Sequence, residues 1–283
     1  MIKRCFISIL GIVLCIHISA QNTYRPDNQE TLFFEALFHL DIKRAKDILE
    51  DIEPLDQTAY LIGSVQLQWW DAISSGKSVN TLLHYIDSTE RTFSKIPVYL
   101  EMHFTSMRLR VHTAEKNYLR AWREWKTFES FVINNSELFD KETSTFINGI
   151  YHCMKSEQKK RFPLLTKDST SYIDHLIKGT GLLEESTHAQ NEVISFEAHY
   201  FLMRVYSDMK SSCLQSVNHS RALLEKFPEN YIFRYYHSNY LNTIGENENA
   251  SKTIRDGLEA LNTDYLNNQQ KSYGSKLLHS VEN

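Results

Sequence analysis

The chain has 283 residues, 42% of them hydrophobic, with 31 basic and 35 acidic side chains and a formal net charge of −4. A chain of this sign lacks the cationic footprint that a phosphate backbone demands, which argues against a nucleic-acid partner. Glycine and proline number only 9 and 5. Sheets need turn residues every few positions, so this scarcity argues for long helices joined by short connections.

Residues 1–20 read as an export signal. Lys3 and Arg4 precede the 12-residue apolar run "CFISILGIVLCI", and "HISA" ends in a small residue before Gln21. This order of charged, apolar and cleavage regions is that of a secretory signal peptide, and the run is too short to span a bilayer. The expected mature chain is 21–283, with a net charge of −6 because two bases and no acids leave. Cys15 follows Leu14 rather than a small residue, so the pattern favours a soluble exported protein, of the periplasm or cell-envelope surface, over a lipid-anchored one. No later stretch is apolar for long enough to cross a membrane.

Punctuation by Pro54, Gly76, Pro97, Asn134-Asn135, Pro163, Pro228 and Gly245 predicts helices in pairs. They fall near 28–40 and 42–53, 57–75 and 78–94, 98–114 and 117–134, 138–161 and 169–185, 190–210 and 213–227, and 231–244 and 247–261, with a last one near 264–279. In "EVISFEAHYFLMRVYSDM" the apolar residues Val193, Phe196, Ala198, Phe201, Val205 and Met209 recur mostly at spacings of three and four, as on one side of a helix. The basic run "KSEQKKR" at 155–161 reads as solvated final turns of a helix, and "GTG" at 179–181 as a kink or break.

The end of the chain carries a repeat. "SRALLEKFPEN" is followed by "YIFRYYHSNYLNTIGENENASKTIRDGLEAL", in which Gly245 stands at a turn and Ala250 five residues later opens a second amphipathic helix. This resembles the tetratricopeptide repeat, whose unit is about 34 residues, and 197–230 and 231–264 fit two such units. The turn-and-alanine half recurs as "LDIKRA" ending at Ala45 and "KNYLRA" ending at Ala121. The family's first-helix tryptophan is absent, and the spacing from Ala45 to Ala121 is 76 residues rather than two repeats. The resemblance implies an all-α, right-handed solenoid of about six helical hairpins and a terminal helix, forming one domain over 21–283.

On the family's register Tyr236 and Tyr240 pack inward, while Tyr235, Asn239 and Asn242 face the concave side. The matching register in 102–135 adds His103, Ser106 and Arg110. Such a surface binds a peptide or protein partner by its backbone, and the expected function is a non-enzymatic binding scaffold. The alternative is a glycan-binding component that stacks sugars on Trp70, Trp122 and Trp125. Nothing points to catalysis, a metal or a cofactor: no two histidines lie within four residues of each other, and HExxH, G-x-S-x-G and a phosphate loop are absent. The two cysteines left after cleavage, Cys153 and Cys213, read as buried free thiols, with a disulfide left open.

Overall fold

The computed structural model describes residues 28–53, 56–161, 169–209 and 213–281. The expected signal peptide, Pro54 and Pro163 lie outside them. Thirteen α-helices and one 3₁₀ turn make up the described chain, with no strand among the described residues. The helices are α1 (Asn28–Phe38), α2 (Ile42–Ile52), α3 (Gln57–Ser75), α4 (Asn80–Glu90), α5 (Val98–Ala114), α6 (Tyr118–Asn134) and α7 (Lys141–Arg161). They continue with α8 (Tyr172–Ser186), α9 (Glu192–Ser207), α10 (Cys213–Lys226), α11 (Tyr231–Thr243), α12 (Asn247–Ala260) and α13 (Asn268–His279). Each of the thirteen expected helices is present. Their starts are set by side chains that satisfy the first free amides. Asp56, Asn191 and Asn230 each accept from two backbone N–H groups of the helix that follows, and Asn267 forms a capping box with Gln270.

The chain sorts into two compact units, α5–α9 as one and α1–α4 with α10–α13 as the other. The division falls between α9 and α10, inside the expected repeat 197–230. Accordingly α9 packs on α7 and α8, whereas α10 packs on α11.

In the middle unit, α5 is buried on nearly every side, from Leu100 through Thr113 with few exceptions. The tightest pairing is α7 on α8. A Cβ on Gly179 would lie 2.6 Å from the Cys153 backbone nitrogen and 2.9 Å from the Gly149 carbonyl, so the two backbones meet through a gap that only glycine leaves. The expected break at "GTG" is therefore corrected: α8 runs unbroken through it, and Gly179 is a crossing point. The reading of "KSEQKKR" is corrected too. Lys155, Ser156, Gln158 and Lys159 are buried, because α8 covers the last turns of α7 and polar partners meet the cations: Lys155 binds Glu129 and Lys159 donates to the Thr170 carbonyl.

The other unit joins the two ends of the described chain. Phe38 of α1 packs against Trp70 of α3 (5.4 Å between ring centres), Phe227 after α10 (5.3 Å) and Phe233 of α11 (6.5 Å). Two buried amides tie the segments together. Asn230 caps α11 with its Oδ1 and donates its Nδ2 to the Phe38 carbonyl (2.6 Å). Gln270 accepts from the Asn267 amide through Oε1 and donates Nε2 to the Leu40 carbonyl (3.0 Å) and the Ser74 hydroxyl (3.2 Å). Tyr231 donates its hydroxyl to the Ser74 carbonyl. These donors satisfy carbonyls that the ends of α1 and α3 leave open. Helix α13 thus does more than cap the last hairpin: it packs on α3 as well as on α11 and α12. In this unit the hairpins touch more than their chain neighbours, unlike a simple linear array.

Three hairpins, α1–α2, α5–α6 and α11–α12, share one turn. Leu40 (φ 63°), Lys116 (φ 59°) and Gly245 (φ 88°) are left-handed. The next residue's amide reaches back five positions in each: Asp41 to Ala36 (2.9 Å), Asn117 to His112 (2.7 Å), and Glu246 to Leu241 (2.9 Å). This is the Schellman arrangement of a helix end. Five residues after each left-handed position stands an alanine in the core: Ala45, Ala121 and Ala250, exposed by 0%, 3% and 1%.

Candidate functional site

Helix α11 splits its side chains between two jobs. Tyr231, Phe233, His237, Ser238 and Leu241 are buried. His237 Nδ1 lies 2.7 Å from the Ser220 hydroxyl of α10, and burial, with Arg221 and Arg234 nearby, holds its pKa down at about 4, so the imidazole is neutral. Across the helix Tyr235 and Asn239 are half-buried and Asn242 is exposed, so this predicted triad forms one accessible strip. Asn239 donates its Nδ2 to the Tyr235 carbonyl (2.8 Å), which fixes the amide along the helix surface.

A tyrosine cluster borders that strip. Tyr235 and Tyr236 meet edge to face at 5.2 Å, and Tyr236 lies nearly parallel to Tyr240 at 6.2 Å and 16°. Tyr240 is buried, as expected of the inward register, while Tyr236 is only half-buried. Tyr273 of α13 joins them: burial raises its hydroxyl pKa, and the neighbouring Tyr236 and Tyr235 raise it further. The surface therefore offers phenols and amides held by ring packing. Such groups donate to and accept from a peptide backbone and stack on apolar side chains.

The second predicted triad does not join this surface. His103, Ser106 and Arg110 are exposed by 0%, 4% and 1%, and they belong to the middle unit. Ser106 donates its hydroxyl to the His103 carbonyl (2.7 Å) within α5. Their placement as binding residues is corrected to a core position. The register transfer fails because α5 has no single apolar stripe: its side chains are buried on nearly every face, polar groups with apolar ones.

The tryptophans sort the same way. Trp69, Trp70 and Trp125 are buried, Trp125 donating its Nε1 to Gln158 (3.2 Å). Trp122 is half-buried with the Lys126 ammonium 5.3 Å from its ring centre. Two of the three rings that sugar stacking would require, Trp70 and Trp125, are thus in the core. Cys153 and Cys213 are free, buried thiols, and burial raises both pKa values.

One constellation escapes any reading of linear spacing. His152 of α7 and His175 of α8 bring their Nδ1 atoms to 2.8 Å across the hairpin, although 23 residues separate them. Among the described residues no group of three or more His, Cys, Asp or Glu is placed to hold a metal ion, and no helix is long and apolar enough to cross a membrane. The fold and this surface define an all-α protein of packed helical hairpins with a tyrosine-lined helix face. No protein-family model, curated protein or solved structure matches the chain.

Proposed function

We propose that this protein is an exported, non-enzymatic binding scaffold. In this reading its hairpins stack in the manner of tetratricopeptide repeats, and a peptide or protein partner of the cell envelope lies along the inner face that α11 contributes. The observation that carries it is the accessible strip of Tyr235, Asn239 and Asn242, beside the clustered rings of Tyr236 and Tyr273. An extended chain docked there exchanges backbone hydrogen bonds with amides and phenols and places its apolar side chains on the rings. Export rests on the signal-like pattern of residues 1–20.

The test begins by passing envelope extracts over the immobilised chain lacking residues 1–20. The captured partner is then titrated against Tyr235→Ala and Asn242→Ala variants of unchanged helicity and melting. A tenfold loss of affinity, about 1.4 kcal/mol, in either variant supports the surface. Wild-type affinity in both moves the binding site elsewhere. Soluble oligosaccharides that bind and lose affinity with the same variants would replace the protein partner by a glycan.

A further inference from the structure

We propose that His152 and His175 share a proton between their Nδ1 atoms and thereby make the packing of α8 on α7 sensitive to acid. The two nitrogens are 2.8 Å apart, the ring centres 5.1 Å apart, and the ring planes differ by 29°. That centre separation is close to the largest that a 2.8 Å contact permits, so the nitrogens point at each other along the line joining the rings. This is the arrangement of an N–H donating to a bare ring nitrogen. One histidine carries its proton on Nδ1, and the other carries it on Nε2.

Acid then acts in two steps. The first added proton goes to the Nε2 of the donor ring, giving a cation that donates to a neutral acceptor, and the bond stands. A second proton has only the acceptor's Nδ1 to occupy. Two N–H groups would then face each other at hydrogen-bond distance, each on a cation, and the contact must open.

The surroundings confine His175 more than the half-buried His152. His175 is buried, and the Tyr151 ring stands edge-on to His152 at 5.1 Å. One turn away, Gly149 meets Leu183 and Gly179 meets the Cys153 backbone, so the helices cannot slide past each other. The neighbouring charges do not favour a second cation. Glu129 of α6 is engaged by Lys126 and Lys155, Lys159 is buried on α7, and α9, which packs on both helices, buries Glu197 and Arg204. On α8, Asp174 and Lys178 are exposed and Glu184 accepts from Tyr206 of α9. The buried members of this set hold more cations than anions, and the Cys153 thiol stays neutral.

The test is residue-resolved hydrogen exchange on the whole chain over a pH series, with protection in α7–α8 compared with that in α5–α6 of the same unit. That internal reference separates the pair from His237, which titrates in the other unit. On acidification α7–α8 should lose tenfold or more protection relative to α5–α6. His152→Gln keeps a neutral hydrogen-bonding group and should abolish that loss; His175→Asn serves as the second variant if the first does not fold. Nitrogen-15 spectra of the wild-type rings at neutral pH should show one Nδ1–H and one bare Nδ1. Equal loss of protection in both hairpins, the same relative loss in a folded variant, or two rings both protonated on Nε2 would overturn the proposal.

Discussion

Leu40 and Gly245 hold the same position in the same turn by opposite means. Gly245 is exposed, has nothing within 4 Å of where a Cβ would stand, and adopts φ 88° without steric cost. Leu40 adopts φ 63° against the preference of any residue with a side chain, but that side chain is buried, and its carbonyl accepts from Gln270. Local conformational freedom makes one turn, and tertiary burial holds the other. Lys116, exposed and not glycine, has neither advantage, and its turn depends on the helices it joins.

The largest effect should come from cutting the ties around the Leu40 turn. Asn230→Ala removes both the α11 cap and the donor to the Phe38 carbonyl, and should cost about 2–4 kcal/mol in urea denaturation. Asn230→Ser keeps a capping oxygen and loses the donor to Phe38, so it should recover part of that cost; equal losses would assign everything to the tie. Next, Leu40→Gly relieves the left-handed strain and deletes a buried leucine. Since the deletion outweighs the strain, the net loss should be about 2–3 kcal/mol. A variant as stable as the wild type would show that strain dominates this turn as it does an exposed one.

The alanine that follows each turn should respond alike in both. Ala45→Leu and Ala250→Leu over-pack helix crossings and should each cost about 1–3 kcal/mol in the melting transition; a leucine tolerated at one site alone would separate the two hairpins.

The helices leading into the turns should differ in pH response. Burial, with Asp56 adding to it, raises the Glu30 pKa on α1 from 4.5 to about 8. Its proton therefore favours the fold, and stability falls as pH rises from 4.5 through 8. His237 on α11 is depressed from 6.5 to about 4, so its contribution is complete above 6.5 and is lost as pH falls through 4. The two slopes oppose each other between 4.5 and 6.5, and each is at most about 1.4 kcal/mol per pH unit. Urea midpoints should thus fall on the alkaline side through Glu30 and on the acid side through His237. Glu30→Gln should flatten only the first decline. The smallest effects separate the exposed turns: Lys116→Gly should stabilise by up to about 1 kcal/mol, whereas Gly245→Ala should destabilise by about the same amount.

These turns also mark what could be read in advance. Helix positions were legible because apolar spacing and capping residues are local, and the alanine five places after a turn was legible because close crossings demand a small residue. The shared backbone of the three turns was not, since glycine advertises a left-handed position and Leu40 and Lys116 conceal one. The accessible strip on α11 followed from register, but carrying that register to α5 failed. A helix enclosed on all sides gives its polar residues no outward direction, so Arg110 could not be told from a surface arginine by spacing. Gly179 looked like a helix breaker because its partner, the backbone of α7, is a distant stretch of chain, and His152 and His175 are joined by the same crossing.

The pairing of α1–α4 with α10–α13 has a consequence in time. Ribosomes add about 5–20 residues per second, so the first four helices, complete at Glu90, wait roughly ten to forty seconds for α10 to α13, which end at His279. For about the first three quarters of that interval Phe38 and Trp70 lack Phe227 and Phe233, their aromatic partners from the far end of the sequence. The helices from Val98 to Ser207 are contiguous and carry their packing partners within the unit. The middle of this chain can therefore finish folding before its beginning does, and the early helices are the natural clients of whatever shields nascent apolar surface.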